Sequence, residues 1–178
     1  MGTVRRLARL GILLIVGIGL LGARDRSEGP PPSVTGPQEV EVVGLLLDSQ
    51  THQPTIVLRG KRDKRAFAMV IGAAEATGIA LPLQNVTPPR PLTHDLFMTL
   101  FGRLNVSVTK VVITDLRDNT YFATLVLKTG TATMELDSRP SDAIALAIRA
   151  KAPVFAEDRV FEKAELLPPA PPGPGPRI

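Results

Sequence analysis

The chain has 178 residues, 44% of them apolar, which suits one domain of ordinary size plus appendages and is enough to build a real core without staples. It contains no cysteine, which excludes a disulfide framework, a thiolate metal site and a cysteine nucleophile. The formal charge of +4 comes from outside the body of the sequence: residues 39–165 hold fifteen Lys and Arg against fifteen Asp and Glu, so bulk charge is no argument for a polyanion partner.

Residues 1–23 read as a signal peptide or an N-terminal membrane anchor. Arg5, Arg6 and Arg9 precede Leu10 to Ala23, fourteen residues without a charge, which suits a secretory h-region and falls short of the ~20 residues that span a bilayer. Cleavage after Ala23 and an uncleaved anchor both stay open. Either leaves the arginines in the cytoplasm, so the expectation is a chain exported to the periplasm or exterior, or anchored to the outer side of the membrane by residues 10–23. The Arg5-Arg6 pair also permits a twin-arginine route. Residues 24–38, with GPPPSVTGP, form a Pro/Gly linker, and residues 166–178, with PPAPPGPGPRI, a disordered Pro-rich tail. They bracket one domain, residues 39–165.

Within it, Val40 to Asp48 is β-branched and aliphatic and reads as a largely buried strand. After a turn over 49–54, Thr55 to Arg59 and Ala66 to Ile71 make a β-hairpin around a charged loop. Gly72 to Leu83 is helical through Ala80, where Pro82 is expected to stop it. Gln84 to Leu92, with three prolines, is an extended connector.

Thr93 can cap a helix whose Leu96, Phe97, Leu100, Phe101 and Leu104 share one face. Val106 to Asp115 is the next strand, and Arg117-Asp118-Asn119 turns the chain into Tyr121 to Lys128. Thr131 to Asp137 alternates Ala132, Met134 and Leu136 with polar residues, the mark of a strand with one covered face. Pro140 to Lys151 is a third helix, Pro153 to Ala156 a short strand, and Asp158 to Ala164 a last helical turn. The fold class is therefore α+β: one domain, a mixed, largely antiparallel sheet covered by about three helices.

Three blocks in this order resemble the bifunctional nuclease family: IGAAEATGIALPLQNVTPPRPLTHDLF from Ile71, VVITDLRDNTYFATLVL from Val111, and LDSRPSDAIALAIRAKAPVFAEDRVFEKA from Leu136. The resemblance spans nearly the whole domain. It implies an α+β fold, a homodimer and a nuclease activity on DNA and RNA. It supplies no catalytic set.

Phosphodiester hydrolysis needs an activated water, stabilisation of phosphoryl charge and a proton for the leaving oxygen, usually with carboxylate-held Mg²⁺ or Mn²⁺. The candidates for catalysis are His94, Asp95, Glu75 and Asp142, with Asp95 and Asp142 as metal ligands; Asp115 and Asp137 are further acids. Arg90, Arg117 and Arg139 are the candidates for phosphate.

His94 could titrate near neutral pH as an acid or base, or could simply bond a carbonyl at a helix start, with Asp95 favoured there by the helix dipole. Glu75, among small residues, is either on a wet face or the partner of an arginine or metal. Asp115 and Asp118 flank a turn and are explained by it.

Arg139 and Asp142 stand at the third helix's entrance, where free N–H groups and an arginine fork suit a phosphate. The bland alternative has Asp142 satisfying the first-turn amides and Arg139 pairing with Asp137 or Asp115. The loop Arg59-Gly60-Lys61-Arg62-Asp63-Lys64-Arg65 carries five cations in seven residues, and Lys61, Arg62, Lys64 and Arg65 could hold a nucleic-acid backbone or merely be solvated.

The reading that follows is an exported or membrane-tethered, metal-assisted nuclease acting on DNA or RNA with little sequence preference. The alternative is a non-catalytic dimeric binding or regulatory module. The two differ in whether Glu75, His94 and Arg139 converge on one cleft.

Overall fold

Among the described residues, 36–48 and 51–168, the computed structural model runs in the order β1 (Gln38–Leu47), β2 (Pro54–Gly60), β3 (Ala66–Val70), α1 (Ala73–Leu83), α2 (Thr93–Arg103), β4 (Val106–Arg117), β5 (Thr120–Thr129), β6 (Ala132–Ser138), α3 (Pro140–Ala150), β7 (Val154–Ala156), α4 (Asp158–Lys163) and β8 (Leu166–Leu167). The strands form one sheet in the order β6-β5-β4-β7-β1-β2-β3-β8. Only β7 and β4 run parallel; every other neighbouring pair is antiparallel. This is the mixed, largely antiparallel α+β domain that the sequence leads one to expect. The signal or anchor segment, most of the linker and most of the tail lie outside the described residues, although β1 starts inside the expected linker and β8 inside the expected tail.

Turn chemistry fixes the pairing. Asp118 and Asn119 both take positive φ, 47° and 61°, and such a two-residue turn has the twist that joins antiparallel strands, here β4 and β5. Arg117 is accordingly the last residue of β4 rather than part of the turn. Gly130, at φ 57°, turns the chain into β6.

The core lies between the sheet and α3. Ala143, Ile144, Ala145, Leu146 and Ala147 are all buried, and small side chains let α3 sit close to β4, β5 and α1. Phe67 stacks on Tyr121 at 5.8 Å and meets Phe161 edge-on at 5.1 Å, tying β3, β5 and α4 together.

Five further expectations fail. The helix α1 does not stop at Ala80: Pro82 lies inside it. Thr93 is not the cap of α2; Leu92 holds that position, and its N–H is taken by Asp95 Oδ2 at 2.8 Å.

Strand β1 is buried only near its start, because β7 covers just Gln38–Val40, and Leu46 and Leu47 are exposed. Among the described residues no element covers a face of strand β6, because it is an edge strand while α3 lies over β4 and β5; Met134 and Leu136 are exposed. Similarly, α2 turns Met98 and Phe101 to the core but leaves Leu96, Phe97, Leu100 and Leu104 in solvent.

Candidate functional site

The small residues of α1 allow three helices to meet at their charged ends. Gly78 of α1 is buried, and a Cβ placed on it would stand 2.7 Å from Nδ1 of His94. The imidazole thus lies directly against backbone, which a glycine alone permits. From there His94 Nε2 reaches Asp142 Oδ1 at 3.2 Å. The ring is 11% exposed, so its orientation is set by packing as well as by that bond.

Asp142, in the first turn of α3, is shared. Arg139 Nε donates to its Oδ2 at 2.7 Å and Nη2 to its Oδ1 at 3.1 Å, a two-pronged grip. The same Nη2 donates to Glu75 Oε1 at 2.8 Å. Burial pushes the Asp142 carboxyl up, but the hydrogen bonds from Arg139 and His94 outweigh it and hold the group below the usual carboxylate range. The two acids in turn hold Arg139 more firmly charged, Asp142 most of all.

Glu75, His94, Arg139 and Asp142 therefore line one cleft of about 350 Å³, with Thr93 and Gly78 in its walls. Glu75 and Arg139 also border a second depression of about 260 Å³ beside Tyr121 and Ser141. The guanidinium of Arg139 bridges the two and is 67% exposed. The anion at this helix entrance is supplied by Asp142 and Glu75, and neither Asp137 nor Asp115 takes part. Nor does Asp142 cap α3, which has no side-chain cap.

The bifunctional nuclease domain model matches residues 56–168. The chain belongs to the bifunctional nuclease domain family. An uncharacterised protein of Mycobacterium tuberculosis (strain ATCC 25618 / H37Rv) is 40% identical over 129 residues, covering 72% of this chain and 77% of that protein. A protein of Arabidopsis thaliana named Bifunctional nuclease 1 is 31% identical over 141 residues, covering 72% of this chain and 43% of its own length. Bifunctional nuclease 1 of Oryza sativa subsp. japonica is 27% identical over 118 residues, covering 65% and 36%. The chain thus spans less than half of these plant proteins. Family membership supports a nuclease-like role.

In this bifunctional nuclease domain the other expected site residues stand elsewhere. Asp95 lies next to His94 in sequence but lines a separate depression with Arg149. Arg149 Nε donates to its Oδ1 at 2.6 Å, and the N–H of Leu92 to its Oδ2 at 2.8 Å. The bond from Arg149 leads in holding its carboxyl low. Asp95 and Asp142 therefore do not face each other as a metal pair, and among the described residues no three His, Asp or Glu side chains gather as a metal-binding set.

Arg117 stacks over Phe122 at 3.9 Å and reaches Asp115 at 3.4 Å, while Asp115 is also held by Lys163 at 2.6 Å. Arg90 is exposed in the connector and does not line the cleft.

The cationic loop is largely neutralised. Lys61 pairs with Glu39, Arg62 with Asp158 at 3.0 Å, and Arg65 with Asp63 at 2.7 Å and Asp158 at 3.4 Å. Lys64 has positive φ (64°) and makes no ion pair among the described residues.

Sequence reasoning missed Gly78 and Arg149. Gly78 carried a signal in hindsight, as a glycine inside a helical run. Arg149 carried none, since a basic residue in a last helical turn is ordinary.

Proposed function

We propose that the chain is a nuclease that hydrolyses phosphodiester bonds of DNA, RNA or both with little sequence preference, in the cleft between α1, α2 and α3. The observation that carries this reading is the convergence of Glu75, His94, Arg139 and Asp142 from three helices. Arg139, exposed and planar, is the phosphate ligand: a phosphoryl oxygen replaces one carboxylate oxygen in its fork. His94 is the acid/base group. Its Nε2 edge, which meets Asp142, is the one that faces the cleft, since Nδ1 packs against Gly78.

The two carboxylates that a Mg²⁺ or Mn²⁺ ion would share here are Glu75 and Asp142, since Mg²⁺ needs only one or two with water and substrate oxygens completing the shell. Bound there it would offset phosphate charge. Asp95 is not available to it, because it lines the separate depression with Arg149.

Export, or anchoring by residues 10–23, belongs to the same reading; among the described residues no helix is long and apolar enough to cross a membrane. So does a homodimer, supported by the outward stripe of α2.

The test is cleavage of single- and double-stranded DNA and RNA by the purified chain with Mg²⁺, Mn²⁺ or EDTA, repeated with His94→Ala and Arg139→Ala. We expect cleavage that both substitutions reduce by at least about a hundredfold. Cleavage unchanged in both folded variants overturns the site. No cleavage with any metal favours a non-catalytic binding module, a reading that the pairing of Arg139 with two acids also supports.

A further inference from the structure

Beside the cleft, a depression of about 490 Å³ lies between the end of α1, the proline connector, α2 and α3. Its size is that of small-molecule sites. Pro82, Pro88, Pro91 and Val86 give it flat apolar walls, and three prolines hold that shape before anything binds. Arg149 and Asp95 supply its charged groups.

The Arg149 side chain is only 9% exposed. Its Nε is used on Asp95 at 2.6 Å, and its Nη1 on the carbonyls of Gly78 at 2.6 Å and Ala145 at 2.9 Å. Among the described residues no hydrogen-bond partner takes Nη2, a donor on a largely buried cation. Each oxygen of Asp95 accepts one bond, from Arg149 and from the Leu92 N–H, so each keeps a second lone pair. Because the pair is neutral overall, a free phosphate gains little there: Arg149 attracts it and Asp95 repels it. The fitting ligand is a flat neutral group that offers an acceptor beside N–H donors.

We propose that this depression is a base pocket that takes a guanine of the nucleic-acid substrate next to the cleft. The inference rests on the nuclease reading for its ligand class and adds a base preference to otherwise sequence-tolerant cleavage. Guanine presents O6 to Arg149 Nη2, and N1–H with N2–H to the Asp95 carboxylate; its faces lie on the proline rings and Val86. Adenine offers one donor group to the carboxylate. Uracil flanks its single N–H with two carbonyls that the carboxylate repels. Arg149 also holds the carbonyl of Gly78, which lines the cleft, and this bond links the depression to the proposed site.

The test is a titration of the full chain with guanosine, adenosine, cytidine, uridine and inorganic phosphate, followed by amide and Arg Nε–H NMR signals. Guanosine should shift the signals of residues 85–87 and Arg149 with a Kd on the order of 1 mM or tighter, at least fivefold tighter than the other nucleosides. Phosphate should neither shift them nor compete. Thr87→Trp, at an exposed position of the rim, should weaken guanosine binding at least tenfold with an unchanged melting temperature. Asp95→Asn should remove the preference for guanosine over adenosine.

Equal shifts from all four nucleosides, shifts from phosphate instead, or guanosine shifts outside residues 81–95 and 149 would overturn the pocket. Cleavage without guanosine binding overturns the pocket and leaves the nuclease reading standing. Guanosine binding without cleavage does the reverse.

Discussion

Arg149 Nη1 donates to the carbonyl of Gly78 at 2.6 Å, and Gly78 is the residue four before Pro82. A helix bonds each carbonyl to the N–H four residues on, which proline lacks. A side chain from α3 therefore completes the backbone of α1 at the turn that seats His94.

This relationship gives the first prediction. Arg149→Ala should destabilise the fold by about 2 kcal/mol, by leaving a buried carbonyl without a donor and Asp95 without its main partner. Pro82→Ala restores a backbone donor for Gly78, so the loss from Arg149→Ala should be smaller in that background by about 1 kcal/mol. Urea unfolding of the four proteins measures the coupling; strict additivity counts against the account.

Gly78→Ala would stabilise an isolated helix by about 1 kcal/mol. Here the added methyl would stand 2.7 Å from His94 Nδ1. We expect a lower melting temperature and a loss of at least about tenfold in cleavage, as the imidazole is moved off Asp142. A variant at least as stable as the parent shows that the ring moves aside freely.

The Asp142 carboxyl titrates below its ordinary value in the folded chain, so the unfolded chain binds its proton first as pH falls. The stabilisation is complete above the ordinary carboxylate pKa of about 4 and is lost as pH drops through the lower folded value. Thermal melts from neutral pH to about pH 2.5 should show Asp142→Asn losing less stability than the parent across the acid limb. Parallel curves would refute the assignment.

Asp158 accepts from both Arg62 and Arg65. Removing it by Asp158→Ala should release Arg62 at the loop, while Arg65 keeps Asp63. Affinity for single-stranded DNA should rise, and the log–log salt dependence should steepen by about one unit. An unchanged slope means that the loop does not meet the strand at all.

The outward stripe of α2 predicts assembly. Leu100→Glu should give a folded monomer by sedimentation where the parent sediments as a dimer. The parent sedimenting as a monomer rejects the homodimer.

Much of the fold was legible where local chemistry decides it. The Asp118-Asn119 turn, the α3 start at Pro140 and the β2–β3 hairpin all follow from residue types that suit one backbone geometry. The convergence of Glu75, His94 and Arg139 could only be posed as a condition, because residues 75, 94 and 139 are far apart in the chain. The reading went astray where an element's surroundings decide: Pro82 was read by its missing N–H, which another helix repairs, and β6 by an alternation that its edge position leaves uncovered.

By itself the sequence determined the element types, the family and the set of charged residues, because periodicity, turns and motifs are local properties of the chain. Which charges are partners was decided by the tertiary structure. Arg139 found Glu75 and Asp142 rather than Asp137 or Asp115, Asp95 turned from His94 to Arg149, and the loop cations found Glu39, Asp63 and Asp158. An ion pair depends on distance in space, and helix packing sets that distance through residues as small as Gly78.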